Sequence, residues 1–282
     1  MMAGSGGELA KRVGVAALGI PTALGVAYLG GYWLAAFLAV FAGVAAWEFC
    51  EMQRSRDLGG SARLTVLLAV AYVLLAATFE APAFAVWATL LTLAAAATVM
   101  LTLSSEAQPG RQIMVATFGA LYTGGLLAFA VWIRDIDGRL LSVRGGGILL
   151  LPVAITWIGD TAAYFGGRAI GRHKLAPKIS PGKTREGAVA GFVATTAGAL
   201  GYAEATRPLV NWTLSPIALL AFGAAVAVAG QIGDLFESRF KREWGAKDSS
   251  SLLPGHGGVL DRLDSLLFVF PVAYAFLWWL GT

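Results

Sequence analysis

Asp234, Glu237 and Lys241 stand at i, i+3 and i+7 in an apolar stretch, and Asp261 and Asp264 follow at i, i+3 within Asp261-Arg262-Leu263-Asp264. On a helix each spacing gathers its side chains on one face. Carboxylates this close to hydrocarbon are costly and call for a cation or a metal. With no thiol beside them, such oxygens suit a hard cation such as Mg2+, which keeps waters and shares phosphate oxygens. Asp261 and Asp264 fit equally well as plain first-turn acids paired with Arg262. Residues 238–264 hold five cations and four carboxylates, and Pro254-Gly255-His256-Gly257-Gly258 would let backbone approach an anion just before a helix begins.

A second block opens at Asp160 and closes at Gly187. Arg168, Arg172, Lys174, Lys178, Lys183 and Arg185 place six cations there, interleaved with glycine, proline, Ser180 and Thr184. Backbone N–H groups, hydroxyls and several cations together suit one polyanion. The same loop also fits a basic segment resting on lipid headgroups. Lysine usage favours the first reading. Every lysine except Lys11 lies in one of the two blocks, as do both histidines, whereas arginine supplies most positive charge elsewhere. An ammonium is a compact point charge suited to phosphate.

The elements that must position these groups are membrane helices. Hydrophobic residues make up 57% of the 282 and charged residues 13%. Nine apolar runs recur, at about 13–29, 30–48, 64–80, 82–103, 112–133, 146–166, 187–203, 215–236 and 263–280. They lack the in-out alternation of barrel strands, so the expected fold is all-α and polytopic, with about nine transmembrane helices. Of the 21 Lys and Arg, all but Arg134, Arg139, Arg144 and Arg207 fall on one side, which puts the N-terminus and both charged blocks in the cytoplasm.

Other features narrow the classes. The net charge of +4 fits cytoplasmic loops beside anionic lipid rather than nucleic-acid binding. Cys50 is the single cysteine, which excludes an intramolecular disulfide and reads as a packed small residue. The first apolar run follows Lys11-Arg12 but lacks a clear small-x-small cleavage site and reads as a retained helix. The chain divides at about residue 150. Residues 1–150 read as packing helices with plain connectors, including 51–63 and 134–144, and residues 151–282 as the catalytic region with blocks at 160–187 and 234–264.

The run Ser238-x-Phe240-Lys241-Arg242-x4-Lys247-Asp248-x-Ser250-x2-Leu253-Pro254-x-His256-Gly257-Gly258-Val259-x-Asp261-Arg262-Leu263-Asp264 resembles the signature of the phosphatidate cytidylyltransferases, or CDP-diacylglycerol synthases. The block from Asp160 to Gly187 is similar to that family's second recurring segment. The resemblance covers roughly the last two fifths of the chain. It implies a bacterial inner-membrane enzyme that transfers CMP from CTP to phosphatidic acid, with its active site facing the cytoplasm and a homodimeric assembly. It further implies Mg2+, with room for a second cation, held by Asp234, Asp261 and Asp264, with Asp248 assisting. Lys241, Arg242, Lys247 and Arg262 would balance the triphosphate, and His256 would donate to phosphate or pyrophosphate. Substrate contacts would come from Asp160, Tyr164, Arg168, Arg172, Lys174, Lys178, Ser180, Lys183, Thr184, Glu186, Ser238, Gly257 and Gly258.

A phosphate nucleophile is already ionised at neutral pH, so such a transfer depends on positioning and charge neutralisation more than on a strong base. The lipid would enter through a groove between the sixth, eighth and ninth spans. An enzyme acting on another lipid phosphate, or a polyprenol kinase of similar helical plan, would keep a nucleotide site and change the acceptor. A transporter would explain intramembrane acids and glycines but not two phosphate-suited blocks on one side.

Overall fold

The computed structural model describes residues 5–54, 61–252 and 257–280, with side chains from residue 17 onward. Among them are nine helices, matching the nine apolar runs. They are α1 (Ser5–Leu29), α2 (Gly31–Arg54), α3 (Ala62–Ala76), α4 (Ala81–Thr102), α5 (residues 109–135), α6 (Val143–Ile170), α7 (Arg185–Val210), α8 (Pro216–Glu243) and α9 (Leu260–Leu280). A π turn over Leu121–Gly125 interrupts α5 between Pro109–Ala120 and Leu126–Asp135. Among the described residues six segments are long and apolar enough to cross a bilayer: α2, α4, the segment Ser105–Asp135, α6, α8 and α9. At 15 residues α3 extends about 22 Å, short of the hydrocarbon thickness.

The helix starts follow local chemistry. Ser61, Ser142, Thr184 and Ser215 each accept a hydrogen bond from the backbone N–H three residues on, satisfying a donor that the helix itself cannot. Pro216 then occupies the first turn of α8, where its missing N–H costs nothing. The break between α1 and α2 rests on Gly30, whose φ of 68° favours glycine and whose absent side chain leaves room for the Arg134 guanidinium.

The all-α expectation needs one amendment. Within the second basic block, β1 (Lys174–Ala176) and β2 (Ser180–Thr184) pair antiparallel, with Lys174 opposite Thr184 and Ala176 opposite Ser180. Pro177 and the short span between strands make this a hairpin rather than an open loop. It lies over the junction of α6, α7 and α8.

Small residues bring those three helices together. A side chain at Gly159 would overlap the Thr195 hydroxyl, and one at Gly191 would sit 3.0 Å from the Gly159 carbonyl oxygen. Without a hydrophobic drive between helices in lipid, such close backbone approach is what gains dispersion energy. A second packing centre joins α2, α5 and α8 through Phe49, Phe118, Tyr122, Phe236, Phe240 and Trp244. Phe240 stacks on Trp244 at 4.8 Å and meets Phe236 edge-on at 4.8 Å. Each such pair contributes about 0.5–1.5 kcal/mol beyond burial. Phe236, Phe240 and Trp244 at i, i+4 and i+8 thereby fix one face of α8, which leaves Asp234, Ser238 and Lys241 on another.

The two ends of the bundle differ. At one end Arg134 is fully buried, donating from Nε to the Ala27 carbonyl at 2.5 Å and from its terminal nitrogens to Tyr28 and Arg139 carbonyls at 2.7 and 3.0 Å. It neutralises the carbonyl end of α1. Residues 134–144 are therefore more than a plain connector: burial and three carbonyl partners make Arg134 a structural clamp. Tyr32, Trp33, Trp278 and Trp279 are exposed near the same end, as interfacial aromatics are. The charged blocks lie at the opposite end.

Candidate active site

Two charged centres occupy that end. The first is built from α6, the hairpin, α7 and α8. Lys183 on β2 pairs with Asp234 on α8, both about 30% exposed. Asp160 on α6 and Asp264 on α9 lie within electrostatic reach of Asp234 and of each other. Ser238, one turn beyond Asp234, donates to its Oδ1 at 3.4 Å. Asp160, Lys183 and Asp234 line a cavity of about 480 Å3 together with Tyr164, Arg168, Leu175, Thr184 and Gln231.

The second centre joins the last turns of α8 to the first of α9. Lys241 Nζ lies 2.7 Å from Glu237 Oε2 and 2.8 Å from Asp261 Oδ1, with the three side chains only 12%, 1% and 9% exposed. Asp261 also accepts from the Ser249 N–H at 3.0 Å and the Gly258 N–H at 2.8 Å. Its oxygens are thus committed to an ammonium and two amides, an anion at a helix N-terminus. Asp264, one turn on, is within electrostatic reach of Lys241 as well as Asp234 and so stands between the centres.

Several expected substrate contacts hold the protein to itself. Thr184 is buried and caps α7 through Gly187. Glu186 accepts from the Arg172 N–H at 3.1 Å and the His173 N–H at 3.2 Å, and meets His173 Nδ1 at 2.5 Å. The His173 side chain and these amides hold the Glu186 carboxyl well below its ordinary range, at about 2. Arg242 donates from Nε to the Ile179 carbonyl at 3.1 Å, tying the hairpin to α8. Gly258 is required by the chain's own packing, because a Cβ there would fall 1.9 Å from Ser249 Oγ and 2.8 Å from Glu48.

The remaining candidates spread around these centres. Arg168 and Tyr164 are exposed on α6 and joined at 3.3 Å. Arg172, Lys174 and Lys178 are exposed on the hairpin and its approach, and Ser180 is half-buried on β2. Lys247 and Asp248 are exposed on the loop after α8, and Arg262 is exposed on the first turn of α9. Gly257 takes a φ of 80° beside Asp261. His256 lies outside the described residues.

One acid that partners the signature is hidden in the sequence. Glu237 was visible as an i, i+4 neighbour of Lys241, but Glu48 was not. Glu48 sits fully buried near the end of α2 and accepts from Ser249 Oγ, Ser250 Oγ, Val259 N–H and Leu260 N–H at 3.0, 2.5, 3.0 and 2.7 Å. An acid inside Ala-Ala-Trp47-Glu48-Phe49-Cys50, flanked by apolar residues, is the one signal the sequence offers.

Among the described residues, no three Asp, Glu, His or Cys converge closely enough to hold an ion unaided. The chemistry of the first centre, three carboxylates against one lysine and no thiol, fits a hard cation that keeps waters and shares phosphate oxygens.

Fold and site define a multi-pass helical membrane protein whose carboxylate and lysine groups converge at one end of the bundle. A sequence model of the cytidylyltransferase family matches residues 10–280, and the chain belongs to that family. It is similar to the phosphatidate cytidylyltransferase of Pseudomonas aeruginosa, 35% identical over 97% of this chain and 98% of that protein. The Bacillus subtilis phosphatidate cytidylyltransferase is 39% identical over 57% of this chain and 56% of its own length. The one from Brucella suis is 49% identical over 123 residues, so the chain spans less than half, 44%, of that relative.

Proposed function

We propose that the chain transfers CMP from CTP to phosphatidic acid, giving CDP-diacylglycerol and pyrophosphate. A lipid phosphate oxygen attacks the α-phosphorus of CTP, the new P–O bond forms as the bond to the β-phosphate bridging oxygen breaks, and pyrophosphate leaves. The observation that carries this reading is the continuity of a charged cavity with an apolar groove. Leu175, Ala188 and Gln231 line both the 480 Å3 cavity and a neighbouring groove of about 300 Å3 walled by Val189, Phe192, Val228, Ile232 and Leu235. Phe192, Val228 and Ile232 extend it into a further apolar hollow beside Phe268 and Val272 of α9. A lipid phosphate could rest near Asp160, Lys183 and Asp234 while its acyl chains stay in hydrocarbon. The opening runs along α7 and α8, with α9 at its far end, so in this reading the lipid path includes the seventh span beside the expected eighth and ninth.

In this reading Lys183 and Arg168 hold phosphate charge at the cavity, and the second centre fixes the approach of α9 to α8. A divalent cation at Asp234 and Asp264, with Asp160 beside them, would neutralise phosphate oxygens and align the two polyanions. Asp261, already bonded to Lys241 and two amides, contributes by holding the helix ends. The active site then faces the cytoplasm, where CTP is found, and the membrane is the bacterial inner membrane. A homodimer is part of the proposal.

The test uses CTP labelled at either the α- or γ-phosphate, with phosphatidic acid in mixed micelles and with or without Mg2+. Lipid-borne α-label with γ-label released as pyrophosphate is expected. Transfer of γ-label to lipid would mean a kinase, and no lipid-dependent release of pyrophosphate would refute the assignment.

A further inference from the structure

The signature loop is gripped from the far half of the chain. Glu48, on α2, is more than 200 residues away in sequence, yet the four groups that donate to it, Ser249 Oγ, Ser250 Oγ and the Val259 and Leu260 N–H groups, lie between Ser249 and Leu260. A fully buried carboxylate is sustained only by such a set of donors, and here two come from the start of α9, where the helix presents free N–H groups and a partial positive charge. Ser249 faces two ways. Its N–H donates to Asp261 and its Oγ to Glu48, while the Gly258 N–H donates to Asp261 with Glu48 against the same glycine. A continuous path therefore runs from Glu48 through Ser249 to Asp261, and from Asp261 to Lys241 and Glu237.

We propose that Glu48 is a positioning residue that fixes Ser249 and Ser250 against the start of α9 and, through Ser249, the orientation of Asp261 against Lys241. Packing alone does not account for it. An alanine or leucine would pack between apolar neighbours without requiring four donors, and glutamine would turn an N–H2 toward groups that themselves donate. The carboxylate is the one side chain of that length whose oxygens both accept. Ser249 and Ser250 directly follow Lys247 and Asp248, both exposed, so Glu48 sets the geometry presented to the nucleotide. This last step rests on the cytidylyl-transfer reading given above.

The experiment uses full-length protein in detergent micelles, with Glu48→Gln and the milder Ser250→Ala. Loss of acceptor bonding to buried donors is expected to speed amide exchange at 249–252 and 257–260 about tenfold in Glu48→Gln, with the other helices unchanged. KM for CTP rises about tenfold while KM for phosphatidic acid stays at the wild-type value. Ser250→Ala moves both readouts the same way by about threefold. Faster exchange with unaltered kinetics in both variants would reduce Glu48 to a structural acid, and unchanged exchange would overturn the proposal. If Glu48→Gln does not fold, wild-type exchange and kinetics in Ser250→Ala overturn it too. Exchange requires no turnover, so a wild type inactive toward CTP would sink the cytidylyl-transfer reading while the hold of Glu48 on the loop is still decided.

Discussion

Lys241 Nζ lies 2.8 Å from Asp261 Oδ1, a bond between residues 20 apart that fastens the end of α8 to the start of α9. Glu237 lies 2.7 Å from the same ammonium, so one cation serves two buried acids. In this arrangement the positive charge of Lys241 is matched within the protein. At the cavity Lys183 is likewise matched by Asp234, and Arg168 stands exposed beside that pair.

Removing that ammonium leaves Glu237 and Asp261 without their shared cation. Lys241→Met is expected to destabilise the protein by about 3–5 kcal/mol, the range for breaking a buried ion pair from one side. Unfolding in detergent should show it as a lower midpoint. A variant as stable as wild type would mean that the pair is dispensable to the fold.

Asp234 and Asp261 should separate under alanine substitution. Asp234 is about a third exposed and bonds Lys183 and Ser238, so Asp234→Ala should lose at least about a hundredfold in CMP transfer while unfolding near the wild-type midpoint. Asp261→Ala strands two amides and leaves the Lys241 ammonium with Glu237 as its remaining acid, and should lose both activity and roughly 2–4 kcal/mol of stability. Titrating Mg2+ against pyrophosphate release gives the second readout. Asp234→Ala with the wild-type Mg2+ dependence and rate would remove Asp234 from the reacting centre.

Glu186 braces the hairpin through His173 and two amides. Its folded carboxyl lies at about 2 against an ordinary 4.5, so the brace is fully present above pH 4.5 and fades as pH falls toward 2. Glu186→Gln should remove it at neutral pH. Limited trypsin digestion is then expected to cut faster after Lys174 and Lys178, which are exposed on the hairpin. An unchanged cutting rate would show that strand pairing alone holds the hairpin.

The helices were legible because apolar length is written locally: nine runs became nine helices, and helix-cap hydroxyls such as Ser142 and Ser215 stand at their starts. The spacing of Asp234, Glu237 and Lys241 also translated directly, since an α-helix fixes i, i+3 and i+7 neighbours. Contacts across the bundle could not be read this way. Nothing local to Glu48 points to Ser249, and nothing local to Arg134 points to Ala27, because both pairings depend on which helix ends meet. Thr184 and Glu186, substrate contacts by the family resemblance, also close a helix start and brace the hairpin, roles the sequence does not reveal because such hydroxyls and acids have the same composition in either setting. The hairpin itself was hidden by glycine, proline and charge, which mark a loop and a short two-stranded turn alike.

The apolar groove makes a prediction that separates the two substrates. Ile232 on α8 is half exposed and lines the groove next to the charged cavity and the hollow beyond it, while Asp234 two residues on faces the cavity. Ile232→Trp adds bulk where acyl chains would lie and leaves the carboxylates in place. Ile232 is half exposed on the groove wall and the substitution is apolar for apolar, so stability should change by about 0.5 kcal/mol or less. KM for phosphatidic acid is expected to rise about fivefold to tenfold and KM for CTP to remain at the wild-type value. Shortening the acyl chains should shrink the difference between variant and wild type, because a short chain does not reach past Ile232 to Phe268 and Val272. Equal lipid KM values for the two proteins at every chain length would place the acyl chains elsewhere, and a parallel rise in KM for CTP would mean that the substitution had disturbed the charged centre instead.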